Sequence, residues 1–187
     1  MGVYTNLLYH FGQSNSGIGS YNSNYTMPDS DAPTGQWDHY AHVYSEGKFL
    51  LYFNGVLRGV TGSSTVKTYS GKLRFGDATY ISTEGHVGYY DEIRASKVAR
   101  YGNFKAPTAV LDVKQTASVG MNTLKPENVT VLLQSDNSVA NGTNVVGSTA
   151  NKGSGGGTIQ AHNGTPKIVT TESLPWKNTS FLINGNT

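Results

Sequence analysis

Two acids stand side by side at Asp91 and Glu92, and two more, Asp29 and Asp31, are separated by one residue. Paired carboxylates can hydrolyse a glycosidic bond when they flank it, about 5–5.5 Å apart in retaining enzymes. The segment around Asp91 reads as a strand, however, and neighbours on a strand point to opposite faces. The expectation is therefore no catalytic residue, with Asp91 or Glu92 paired to Arg94 or Arg74. Asp29 and Asp31 share parity, but Pro28 and Pro33 flank them and predict a loop.

Loop acids can serve a different chemistry. Calcium needs several oxygens converging from loops, and Asp29, Asp31 and Asp77 are the residues that could supply them. Asp side chains more often cap their own turns. No other cofactor is expected: the chain has no cysteine, and His39 and His42 have opposite parity on one strand and cannot grip one ion. The 12 tyrosines are more suggestive. Tyr21, Tyr25, Tyr40, Tyr44, Tyr52, Tyr69 and Tyr80 could stack on sugar faces or fill a protein interface. The alternative is that they are half-buried strand residues, favoured for β-propensity.

The elements that must position these residues are strands. In Gln36 to Gly55, QWDHYAHVYSEGKFLLYFNG, Trp37, His39, Ala41 and Val43 alternate with Asp38, Tyr40, His42 and Tyr44. After Ser45-Glu46-Gly47-Lys48, Phe49, Leu51 and Phe53 alternate with Leu50, Tyr52 and Asn54. Period-2 patterning on both sides of a Gly-containing connection predicts a hairpin with one face toward a core. Trp37, Ala41, Val43, Phe49, Leu51, Phe53, Leu73, Phe75 and Ile93 are the expected core. Further strands are expected at residues 3–11, 56–58, 67–75 and 85–94. Ser148 to Gly157 (STANKGSGGG) reads as a solvated loop with a mobile tip, because its glycines lose much backbone entropy on ordering. The chain reads as all-β.

The hairpin, a tryptophan opening one strand, then a Gly turn and an aromatic-aliphatic strand ending Asn-Gly, resembles the centre of laminin-G-like domains, which belong to the concanavalin-A-like jelly rolls. Gly85 to Pro107 (GHVGYYDEIRASKVARYGNFKAP) resembles the closing strand of that family. Val129 to Asn137 and Thr158 to Gly185 look like its opening strands. The resemblance implies an antiparallel β-sandwich with its halves in reversed order: a closing half at 1–107, a linker at 108–126 and an opening half at 127–187. Unpaired edges of the first half would be completed by the second, from the same chain or from a neighbour, and completion of a neighbour is the favoured expectation.

Related jelly rolls include laminarinase-type glycosidases, but their Glu-x-Asp-x-(x)-Glu run has no match here. The Ala-Arg-Tyr…Asn-Phe…Pro tail resembles short laminin-G-like domains of phage appendage and decoration proteins and of adhesins. It implies a non-enzymatic virion structural protein of tail, fibre or capsid-decoration type, with a carbohydrate-binding module as the alternative. The implied partners are other copies of the chain, other virion proteins or a glycan, and the implied location is a virion or extracellular surface.

Composition agrees with these classes. Fourteen basic and 12 acidic residues give a net charge of +2 with both signs interspersed, so no basic stripe exists to neutralise a phosphate backbone and nucleic acid is not an expected partner. The N-terminus, MGVYTNLLYHFG, shows no signal-peptide pattern and no stretch reaches the ~18 apolar residues of a membrane span. An exterior surface is expected to be reached by lysis or by a route other than the ordinary secretory signal, with no membrane partner.

Overall fold

A computed structural model describes residues 36–60, 88–100, 106–109, 111, 125–135, 137–155, 159–161, 165–171, 174–175 and 177–183, together with the backbone of 7–12 and 21–26. Among them every sheet is antiparallel, there is no α-helix, and one 3₁₀ turn occurs at Pro126–Asn128. The chain divides into two compact units. The first is Met1–Ser70 with Ala99–Pro107 and Ala117–Asn122, and the second is Gly71–Val98, Thr108–Thr116 and Thr123–Thr187.

In the first unit, β1 (Leu7–Gly12) pairs with β2 (Tyr21–Thr26), and β3 (Tyr40–Ser45), β4 (Lys48–Phe53) and β5 (Val56–Val60) form a meander. Both meander turns are two-residue loops at positive φ: Glu46 at 51° and Gly47 at 75°, then Asn54 at 48° and Gly55 at 82°. This is the type I′ pattern, whose twist matches the strands it joins. Asn54 does more than turn. Its Oδ1 accepts from the His39 N–H at 2.8 Å and its Nδ2 donates to Asp38 Oδ1 at 2.8 Å, tying the second turn to the start of β3.

A two-residue loop fixes the register, and the register corrects the expected core. Ala41 faces Tyr52 and Val43 faces Leu50, whereas Tyr40 faces Phe53 and His42 faces Leu51. Ala41, Val43 and Tyr52 therefore bury one face, with Leu50 and Ala99 against them. Leu51 and Phe53 are buried on the other. The two sets were expected to share one inward face; opposite parity across the turn places them on different ones. Trp37 is only half-buried, and Leu73, Phe75 and the side chain of Phe49 lie outside the described residues.

In the second unit, β6 (Gly88–Tyr90) and β9 (Lys167–Val169) flank β10 (Ser180–Ile183), and β7 (Ile93–Ser96) pairs with β8 (Val129–Leu133). Tyr90, Phe181 and Ile168 stand in one row across the first of these sheets. They form a core with Val145, against which the half-buried Ile93 and Leu133 also pack. The opposite side of β8 sends Leu132 and Val129 into a second cluster with Leu111 and Val98. Strands of the C-terminal third thus pair, within this chain, with the two strands that flank Asp91 and Glu92. The units cut across the boundary at residue 107 expected from sequence, because β6 and β7 find their partners there.

The segment expected to be a solvated loop is docked along β8. Lys152, Ser154 and Gly155 N–H groups donate to the carbonyls of Leu132, Val129 and Thr130 at 2.7–3.0 Å, and Asn151 brackets Leu132 N–H and Thr130 O. Its glycines serve close approach rather than freedom: a Cβ on Gly153 would stand 2.6 Å from the Thr130 carbonyl carbon and oxygen. Glycine is the residue that lets two backbones meet this closely.

Candidate functional site

Asp91 and Glu92 do not point to opposite faces. The chain leaves the β6 ladder at Tyr90 and re-enters β7 at Ile93, and between them Glu92 takes φ 54°, a left-handed conformation uncommon for a residue with a side chain. That kink brings both carboxylates to one side, where Lys177 meets them. Lys177 Nζ is 2.9 Å from Asp91 Oδ2, 3.1 Å from Asp91 Oδ1 and 3.1 Å from Glu92 Oε1. Lys177 is a cation the sequence did not single out beside Arg94 and Arg74, and Arg74 lies outside the described residues.

Each remaining oxygen is also occupied. Asp91 Oδ1 accepts from the backbone N–H groups of Glu92 (2.8 Å) and Ser135 (2.9 Å), and Oδ2 accepts from the Ser135 hydroxyl. Glu92 Oε2 accepts from Leu111 N–H and from Gln134 Nε2, both at 2.7 Å. Thr179 Oγ1 donates toward Ser135 Oγ at 3.0 Å and Lys152 Nζ donates to Gln134 Oε1 at 3.0 Å, closing a second layer. The side chains of Asp91, Lys177 and Glu92 are 0%, 3% and 8% exposed. Carboxylates so enclosed cannot flank a sugar in solvent. Sequence reasoning missed Lys177, Ser135 and Gln134, and its one usable signal was that two neighbouring acids in a core require a cation.

The tyrosines divide. Tyr40 and Tyr44 are exposed on the outward face of β3, with His42 between them, and Tyr40 is 45% accessible. The Tyr40 ring leans on Phe53, centroids 4.9 Å apart and planes at 59°. Burial and then the neighbouring Asp38 charge raise the Tyr40 hydroxyl above its ordinary value, so it remains a protonated donor. Desolvation of the imidazole by the surrounding chain holds the His42 pKa below its ordinary value, which favours the neutral form. Val56, opposite Phe53 on β5, extends the same row and is exposed, as are Leu57 and Val60 on the other face of that strand. Tyr52 is a correction: it is 3% exposed and belongs to the core, because the two-residue turn sets it opposite Ala41. Tyr21 and Tyr25 lie on β2, with their side chains outside the described residues, as are Tyr69, Tyr80, Asp29, Asp31 and Asp77 entirely. Among the described residues no group of three or more acidic, His or Cys side chains is placed to hold a metal.

A laminin-G-type family model, described as the concanavalin A-like lectin/glucanases superfamily, matches residues 5–102, just over half of the chain. The chain belongs to that superfamily. No curated protein and no solved structure matches it. The all-β architecture with antiparallel sheets is that of a concanavalin-A-like β-sandwich, a domain type that fits carbohydrate binding or a structural role. In this superfamily member the match covers β1 to β7, including Asp91, Glu92 and the tyrosine face, whereas Lys177, Ser135 and Gln134 lie beyond it.

Proposed function

We infer that this superfamily member is a non-enzymatic structural module of a surface assembly, of the phage tail, fibre or capsid-decoration kind, that meets neighbouring protein subunits through the sheet β3–β5. The observation that carries this reading is the exposure of Tyr40, Tyr44 and Val56 on one face of the three-stranded sheet, with Leu57 and Val60 exposed on the other. Aromatic side chains are enriched where proteins meet, and sheet faces with large exposed apolar groups mark contact sites. An aliphatic side chain, Val56, in the row of Tyr40 favours a protein neighbour over a sugar, which needs convergent polar groups. With β8 and β10 already partnered by β7 and β6 of the same chain, the reading invokes whole subunits in contact, and exchange of halves is not required.

Glycan recognition is the second reading, favoured by one feature. Tyr40, His42 and Tyr44 alternate along β3 at about 6.8 Å per two residues, with Tyr40 kept as a hydroxyl donor. Analytical ultracentrifugation of the full chain, with a glycan array in parallel, separates the two. The structural reading expects concentration-dependent self-association or capture by companion particle proteins, lost in Val56→Asp, and a silent array. A strictly monomeric chain whose array signal disappears in Tyr40→Ala replaces it with the glycan reading.

A further inference from the structure

Lys177 and Asp91 are 86 residues apart in sequence and meet in the interior, with a second carboxylate in hydrogen-bond reach of the same amine. We propose that this is a self-modification site, at which Lys177 and Asp91 condense into an intramolecular amide with Glu92 as the proton-transferring residue. The geometry supports the step directly. With both Asp91 oxygens within 3.1 Å of Nζ, the amine nitrogen must lie within about 3.5 Å of the carboxyl carbon whatever its tilt, which is the near-attack range.

The groups around the carboxyl match the charge that would develop. As Nζ adds to Cγ, negative charge gathers on Oδ1, toward which the Glu92 and Ser135 backbone N–H groups already point at 2.8 and 2.9 Å. Two fixed N–H dipoles on one oxygen are the arrangement that stabilises a tetrahedral oxyanion. Oδ2 is the leaving oxygen, and the Ser135 hydroxyl donates to it. Glu92 is held for its part by Leu111 N–H and Gln134 Nε2 on Oε2, which leaves Oε1 directed at Nζ.

Atoms and charge balance without a co-reactant. The ammonium brings three protons and the carboxylate none. One proton crosses the 2.9 Å contact to Oδ2; the second is taken by Glu92 Oε1 from Nζ and returned to the departing oxygen. The Nζ–Cγ bond forms, the Cγ–Oδ2 bond breaks, one water leaves, and the third proton stays on the amide nitrogen. Glu92 ends as it began. The amide carries no charge, and Glu92 keeps its carboxylate, with Leu111 N–H and Gln134 Nε2 on Oε2 and the new amide N–H in reach of Oε1. A nucleophile, an oxyanion cradle and a proton shuttle enclosed together go beyond what a tie between strands requires.

Intact mass spectrometry of the folded full chain, followed by tryptic mapping, tests the proposal. The expected mass is one water below that of the sequence, with a branched peptide joining the Lys177 fragment to the Asp91 fragment, and with both signatures absent in Glu92→Gln and Lys177→Arg. A folded wild-type chain that keeps its full sequence mass after days at neutral pH overturns it, however the variants behave. So does a loss of water without the branched peptide, or one that survives Lys177→Arg.

Discussion

Asp91 and Glu92 are adjacent in the chain yet face the same lysine, because Glu92 sits at φ 54° where an antiparallel strand residue would sit at about −140°. Two carboxylates left in the interior without that lysine would repel each other. Replacing one partner of a buried ion pair typically destabilises by about 3–5 kcal/mol. Lys177→Met is expected to lower the unfolding free energy from urea titration by an amount in that range, and an unchanged value would show the triad is not closed in solution.

Phe53 is 2% exposed and sits opposite Tyr40. Truncating a buried phenylalanine removes transfer free energy and leaves a cavity, together about 3–5 kcal/mol. Phe53→Ala should unfold correspondingly earlier in a thermal scan. Val56→Ala, on the same row but half exposed, should shift the transition far less.

Much of this was legible in the sequence, and the rest was legible in principle only in part. The alternation of residues 36–55 wrote β3, β4 and the Gly turn, and the Asn54-Gly55 pair wrote the next one. Burial of Tyr52 was also derivable: a two-residue loop pairs odd with even positions, which places Tyr52 beside Ala41. Lys177 was not derivable, since its pairing depends on a left-handed Glu92 in a segment without glycine and on a contact across 86 residues. The docking of residues 151–155 was hidden for another reason. Glycine clusters look alike whether they supply freedom or close approach, and only the neighbouring Thr130 backbone tells which.

That neighbour makes Gly153 a sharp test. A methyl group there would meet Thr130 carbon and oxygen at 2.6 Å and Val131 nitrogen at 2.7 Å, all backbone atoms that cannot swing aside. Overpacking of this kind costs about 1–3 kcal/mol. Gly153→Ala should destabilise the chain and speed hydrogen exchange at the Lys152, Ser154 and Gly155 amides, whereas Gly142→Ala, with nothing within 4 Å, should pay only for its positive φ.

His42 sets a modest pH dependence. Its folded form resists protonation relative to the unfolded chain, which takes up a proton first as pH falls. Stability linked to His42 is therefore complete above about pH 6.5 and is lost as pH drops through the lower, folded value. Melting temperatures of wild type and His42→Gln should converge toward acid, with wild type showing the steeper decline from neutral pH.

The pairing of β6 with β10 and of β7 with β8 also sets a clock on synthesis. At about 5–20 residues per second, the 86 residues between Asp91 and Lys177 occupy the ribosome for roughly 4–17 s. Through that interval β6 stands without β10, and β7 stands without β8 until that strand has emerged, next to two acids without their cation. The meander β3–β5, whose turns close over two residues, can fold before this wait begins. The meander is thus assembled locally and early, while the sheet of the second unit depends on β10, and a chain cut short between residues 100 and 177 keeps a finished meander beside an open edge on β6.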